Sequence, residues 1–95
     1  MVKIIMFPYA GSIGYAYQKI IPYFDKSKYT IYMIDLNGRG ERVEYESYST
    51  WKQLIEDVGV QVNEIINSDS NEYILFGHSM GAKIAYDIYL WIRKK

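Results

Sequence analysis

The sequence predicts an α/β fold: a parallel three-stranded sheet in spatial order 2-1-3 with three helices, arranged in three layers. Three observations predict it. Apolar, β-branched runs alternate with stretches of helical period in the order β-α-β-α-β-α, the pattern of parallel strands joined by right-handed helical crossovers. The first run, Val2 to Phe7, is apolar as a strand covered on both faces should be. The last strand runs directly into Gly77-His78-Ser79-Met80-Gly81 and then into a helical pattern, a strand–turn–helix junction too tight for ordinary loop chemistry.

Each element has its own signal. After the first strand, Pro8-Tyr9-Ala10-Gly11-Ser12 reads as loop, and Gly14 to about Phe24 as a short helix ending near Asp25. Tyr29 to Ile34 is β-branched and aromatic, hence a second strand. A long polar loop, Asp35 to Ser49, contains Gly38-Arg39-Gly40. Thr50 and Gln53 have capping-box spacing, and Trp51, Leu54, Ile55, Val58, Val62, Ile65 and Ile66 recur at helical period, with Gly59 weakening that helix slightly. Glu72 to Phe76 is the third strand, and Ala82 to Ile92 the third helix, with Ile84, Ala85, Ile88 and Ile92 on one face. Such an arrangement leaves the third strand as an apolar sheet edge, which predicts self-association.

Composition narrows the function. Eleven acidic residues balance eleven basic ones, so no charge argument for nucleic acid or an anionic membrane arises. The eleven tyrosines scatter over strands and helices as core and rim residues, not as a base-stacking platform. Without cysteine there are no disulfides and no thiolate metal sites, as suits a reducing compartment. No run reaches membrane-spanning length, and the apolar start is too short for a signal segment. The expectation is a soluble, cytoplasmic protein with no metal and no cofactor of its own.

The Gly-x-Ser-x-Gly stretch carries the chemistry. A nucleophile elbow holds its serine in a strained conformation between strand and helix, and flanking glycines let the two elements approach. Ser79 would be the nucleophile, at a helix N-terminus whose N–H groups favour negative charge. The Met80 N–H would be one half of an oxyanion hole. The bland alternative for Ser79 is an ordinary helix N-cap. A serine nucleophile also needs a histidine base and a carboxylate to orient it. The one histidine is His78, whose side chain diverges from that of its neighbour at a tight elbow; it reads as a packing or hydrogen-bonding residue. After Ser79 the sequence offers a single carboxylate, Asp87.

Three separated segments together resemble one family. Met6-Phe7-Pro8-Tyr9-Ala10-Gly11, Gly38-Arg39-Gly40-Glu41-Arg42 and Leu75-Phe76-Gly77-His78-Ser79-Met80-Gly81 are similar, in order and spacing, to the type II thioesterases of non-ribosomal peptide and polyketide synthesis. The resemblance implies an α/β-hydrolase fold and cleavage of acyl thioesters from the phosphopantetheine arm of acyl or peptidyl carrier proteins, clearing misprimed or stalled groups. It implies Ser79 as nucleophile and Met80 as first oxyanion donor. The loop after the first strand would give the second donor, assigned to Ala10 with Tyr9 next to it as the alternative. The family often has Gly where Ser12 stands and Pro where Asn37 stands, positions that shape loops. Its later acid and histidine and its lid region have no counterpart among these 95 residues, where a whole α/β-hydrolase would exceed roughly 200. Residues 1–95 therefore read as the N-terminal part of a single thioesterase domain, inactive alone.

Remaining candidates have competing readings. Arg39, between two glycines, would meet the phosphate of the carrier's arm, or else brace its loop through Glu41 or Glu44. Asp35 lies where active-site edges form in open sheets, yet without a histidine partner it reads as a turn residue. Gly38-x-Gly40 is no dinucleotide fingerprint, for it lacks the third glycine and the strand-to-helix context. Two rival functions stay open: a non-catalytic carrier-protein-binding fragment, and another serine acyl hydrolase or acyltransferase with a similar elbow.

Overall fold

The computed structural model describes residues 1–8, 17–38, 42, 44 and 46–94. Five main elements follow one another: β1 (Val2–Phe7), β2 (Tyr29–Met33), α1 (Trp51–Ile66), β3 (Tyr73–Gly77) and α2 (Met80–Arg93). The strands form one sheet in the order β2-β1-β3, the order expected from the sequence. Both pairings are parallel, with Met6 opposite Met33 on one side and Phe76 on the other, and Phe7 opposite Gly77.

Strand alternation divides the core. Ile5 and Phe7 face a cluster built with Leu54, Ile55, Val58 and Val62 of α1 and Ile84, Ala85 and Ile88 of α2. Ile4 and Met6 face the other way, onto Tyr17, Phe24 and Ile31. Both α-helices thus pack on the same side of the sheet. This corrects the expected three-helix, three-layer arrangement. Of the segment expected to form the first helix, residues 17–24 are described; they include the 3-10 turn Ile21–Tyr23 and no α-helical residue. Pro22 lies inside that turn, supplies no N–H and disfavours a helical residue before it, so an α-helix does not propagate there. Phe24 is already extended at φ −87° and ψ 139°.

The helix expected from Ala82 starts two residues earlier, at Met80, because the turn before it is tighter than the apolar period alone reveals. At α1, Thr50 is the N-cap and its side chain accepts the Gln53 N–H at 3.1 Å. Gln53 answers through its Oε1, which accepts the Ser49 N–H at 2.9 Å, one residue before the usual capping-box partner. Gly59 costs α1 about 1 kcal/mol of intrinsic propensity but lets the Trp91 indole approach: a Cβ there would lie 2.8 Å from the ring.

The charged residue in the first apolar run, Lys3, points toward the helices and is 1% exposed. Its Nζ donates to the Ile66 carbonyl at 3.2 Å, at the C-terminal end of α1, and to Asp69 Oδ1 at 2.6 Å. A cation suits a helix C-terminus, where carbonyls lack partners. The Lys3 hydrogen bond, seconded by the Asn71 N–H, holds the Asp69 carboxyl below its ordinary value. A lowered folded value means this stabilisation is complete above the ordinary aspartate value of 3.8 and disappears as pH falls through the folded one. Urea unfolding followed from neutral to strongly acid pH should accordingly show a loss of stability in wild type that is smaller in Asp69→Asn.

Candidate active site

The carboxyl ends of β1 and β3 meet the start of α2 at the Gly-x-Ser-x-Gly stretch. β3 ends at Gly77, α2 begins at Met80, and only His78 and Ser79 lie between. The Gly81 N–H closes the turn onto the His78 carbonyl at 3.0 Å, and the Ala82 N–H reaches the Ser79 carbonyl at 3.0 Å. So short a link demands backbone contact. A Cβ on Gly77 would sit 2.1 Å from the Gly81 carbonyl oxygen, and one on Gly81 only 2.5 Å from that of Phe7. Neither distance is possible for a real side chain, so both glycines are required by the approach of β3, α2 and β1.

Ser79 takes up the resulting twist. At φ 59° and ψ −122° it is the one described non-glycine residue with positive φ, a conformation that costs about 1–3 kcal/mol. It occupies the N-cap position of α2, yet its side chain makes no capping hydrogen bond. The ordinary-cap reading therefore fails at its defining contact. Ser79 is exposed. Met80 holds the first position of α2, where an amide N–H has no intrahelical carbonyl to bond.

A residue that the sequence reading left among the scattered tyrosines ties the elbow down. The buried Tyr17 hydroxyl donates to the Phe7 carbonyl at 2.6 Å and accepts the His78 N–H at 3.0 Å. Its ring meets Phe76 edge-on at 5.3 Å. One phenol thus bridges the ends of β1 and β3 beside Ser79. No local signal marks Tyr17 in the sequence, because its partners are two main-chain groups 10 and 61 residues away.

The other sequence candidates are distributed as follows. His78 is exposed instead of packed beneath the elbow, and its backbone N–H makes the bond to Tyr17. Tyr9, Ala10 and Arg39 lie outside the described residues, as does Glu41, one of the two partners considered for Arg39. Two described residues on either side of Tyr9 and Ala10 reach the elbow: the Pro8 carbonyl would lie 2.9 Å from a Cβ on Gly81, and the Tyr17 hydroxyl accepts the His78 N–H. Asp87 accepts Trp51 Nε1–H at 2.7 Å and the Lys83 ammonium at 3.2 Å. The Trp51 bond first, then Lys83, holds its carboxyl below the ordinary range. Asp87 therefore braces α1 against α2.

A second network anchors the β2–α1 loop. Asp57 on α1 accepts the Tyr48 hydroxyl, the Gln61 amide at 3.1 Å and the Arg42 guanidinium at 3.4 Å. The Tyr48 hydroxyl in turn accepts the Asn37 N–H at 3.1 Å. Burial, with the Asp57 hydrogen bond second, pushes the Tyr48 phenol up to about 12, so it stays a donor.

A family model described as serine aminopeptidase, S33, matches residues 3–94. The chain belongs to that family. It is an α/β-hydrolase related to the type II thioesterases of non-ribosomal peptide and polyketide pathways. The gramicidin S biosynthesis protein GrsT of Aneurinibacillus migulanus is 29% identical over 93 residues, covering 98% of this chain and 35% of GrsT. The RedJ thioesterase from the prodiginine biosynthetic pathway in Streptomyces coelicolor superposes with a TM-score of 0.85 at 31% identity, over 98% of this chain and 34% of that one. ClbQ from the colibactin NRPS/PKS pathway shares the fold at TM-score 0.87 and 22% identity, over 98% and 38%. The chain spans about a third of the length of these relatives.

Three outcomes follow for this member of the family. Ser79→Gly should gain about 1 kcal/mol in denaturant unfolding by relieving the positive φ, whereas Gly81→Ala should lose about 2 kcal/mol or more through the clash with Phe7. Tyr17→Phe should cost about 1–3 kcal/mol and accelerate hydrogen exchange at the His78 amide, with the amides of Val58 and Ile84 changing only by the global loss.

Proposed function

We propose that the chain carries the nucleophile and oxyanion half of a thioesterase acting on carrier-protein thioesters. Ser79 Oγ attacks the thioester carbonyl and gives its proton to a histidine base. The carbonyl oxygen becomes an oxyanion, held by the N–H groups of Met80 and Ala10, with Tyr9 as the alternative second donor. The tetrahedral intermediate collapses, the carbon–sulfur bond breaks, and the sulfur leaves with that proton as the free phosphopantetheine thiol. Water, deprotonated by the same base, then attacks the acyl-Ser79 ester, releasing the carboxylic acid and regenerating the serine. Arg39 meets the phosphate of the arm. No cofactor of the enzyme's own enters; the phosphopantetheine arrives with the substrate.

The observation that carries this reading is Ser79 at φ 59° between two obligatory glycines, with no capping bond to occupy its hydroxyl. The family description names peptide-bond cleavage, while RedJ at 31% identity is a thioesterase. A thiolate leaves far more readily than an amine, so a thioester makes the smaller demand on the acid that must protonate the leaving group. The one histidine of the sequence is His78, exposed on the elbow next to Ser79. That observation favours a second reading, a carrier-protein-binding fragment without turnover of its own.

The test is release of acetate from an acetyl-loaded carrier protein by the purified chain, beside Ser79→Ala. The expected outcome is no excess over Ser79→Ala from the chain alone, and Ser79-dependent release once imidazole is added as base. A peptide p-nitroanilide should remain uncleaved under both conditions. Binding of the carrier without Ser79-dependent release in imidazole would establish the second reading. An Arg39→Ala variant with unchanged carrier affinity would remove the phosphate role.

A further inference from the structure

A cavity of about 340 Å³ opens beside the elbow, between the β2–α1 loop and the first turns of α1 and α2. Leu36, Leu54 and Met80 give it apolar walls, and Asn37, Ser49 and Thr50 a polar side. Met80 links it directly to Ser79. Among the described residues the lining includes no lysine, arginine, histidine or carboxylate.

Most of the polar groups in its wall are already committed. The Tyr48 hydroxyl is held by Asp57, Thr50 Oγ1 accepts from Gln53, and the Trp51 indole N–H goes to Asp87. Asn37 Oδ1 differs. Among the described residues it is the one buried side-chain nitrogen or oxygen with no hydrogen-bond partner. A buried acceptor left unpaired is unfavourable. The Asn37 main chain cannot swing away to satisfy it, because its N–H is fixed on Tyr48. The terminal carboxamide torsion is broad, so the oxygen can turn into the cavity that its own side chain helps to line.

We infer that this cavity is a binding subsite for a neutral secondary amide on an apolar stem, whose N–H is accepted by Asn37 Oδ1. The inference rests on Ser79 as the acyl acceptor, since it places the amide within one residue of the reacting serine. Two sources share this chemistry: the arm that bears the thioester, and an amide within the acyl group itself.

The experiment is an NMR titration of the isotope-labelled chain with pantetheine, for the arm, and with N-acetyl-leucinamide, for the acyl group. The expected result is shifts at the Asn37 carboxamide and the Ser49, Thr50 and Met80 amides with at least one probe. Affinity should fall about tenfold or more in Asn37→Leu, which keeps the main-chain N–H, and persist in Asn37→Asp, which keeps an acceptor. The probe that binds identifies the source. Equal affinity in Asn37→Leu, loss in Asn37→Asp, shifts confined elsewhere, or none up to about 10 mM would each overturn the inference. If Asn37→Leu does not fold, a nuclear Overhauser contact from the probe amide proton to the Leu54 or Met80 methyls in wild type decides, its absence counting against the subsite. The readout needs no turnover. A bound probe without Ser79-dependent acetate release would sink the enzyme reading and leave the subsite standing.

Discussion

The close approach of three backbones at Gly77, Gly81 and Phe7 is the constraint on which the rest of the site depends. A two-residue link cannot carry the chain from the end of β3 into α2 unless main-chain atoms touch, and the glycines admit that contact. Once the approach is fixed, the intervening backbone must take a conformation that L-residues disfavour, and Ser79 takes it. The hydroxyl is then presented at the start of a helix instead of folding back to cap it. Local strain, helix N-terminus and exposed serine are consequences of one packing decision, offset by the buried cluster of Phe7, Val58, Val62, Ile84 and Ile88 that seats both helices on β1.

Around that junction the structure spends its polar groups on position. Tyr17 ties the elbow to β1 through two main-chain groups. The Tyr48–Asp57–Arg42 network holds the β2–α1 loop against α1, and Trp51–Asp87–Lys83 holds α1 against α2. Lys3 and Asp69 do the same at the opposite end of the sheet. The described residues around Ser79 are therefore held from several fixed points.

What could be read from the sequence was whatever has a local cause. Strand runs, the capping spacing at Thr50 and Gln53 and the Gly-x-Ser-x-Gly turn depend on neighbours a few residues apart, and the 2-1-3 order follows from right-handed crossovers between parallel strands. The helix expected from Gly14 to about Phe24 does not run through residues 17–24, because Pro22 supplies no N–H and disfavours a helical residue before it. Gly59 read as a flaw in α1, since the indole it admits belongs to another helix. Lys3 disappeared into an apolar run, its partners lying 63 and 66 residues away. Tyr17 carried no signal for the same reason, one of its partners lying 61 residues away. The oxyanion assignments to Ala10 or Tyr9 and the phosphate role of Arg39 fall on residues outside those described, and remain proposals.

The account stands or falls on Ser79 adopting the elbow conformation within these 95 residues. The most direct measurement is the backbone geometry of Ser79 in the labelled chain, from its intraresidue amide-to-Hα Overhauser intensity and Hα–Cα coupling. The expected pattern is that of a positive φ at Ser79, unique among its non-glycine neighbours in 73–94. A negative, helical φ at Ser79, with α2 simply extended through the motif, would contradict it and return the serine to an ordinary place in a helix.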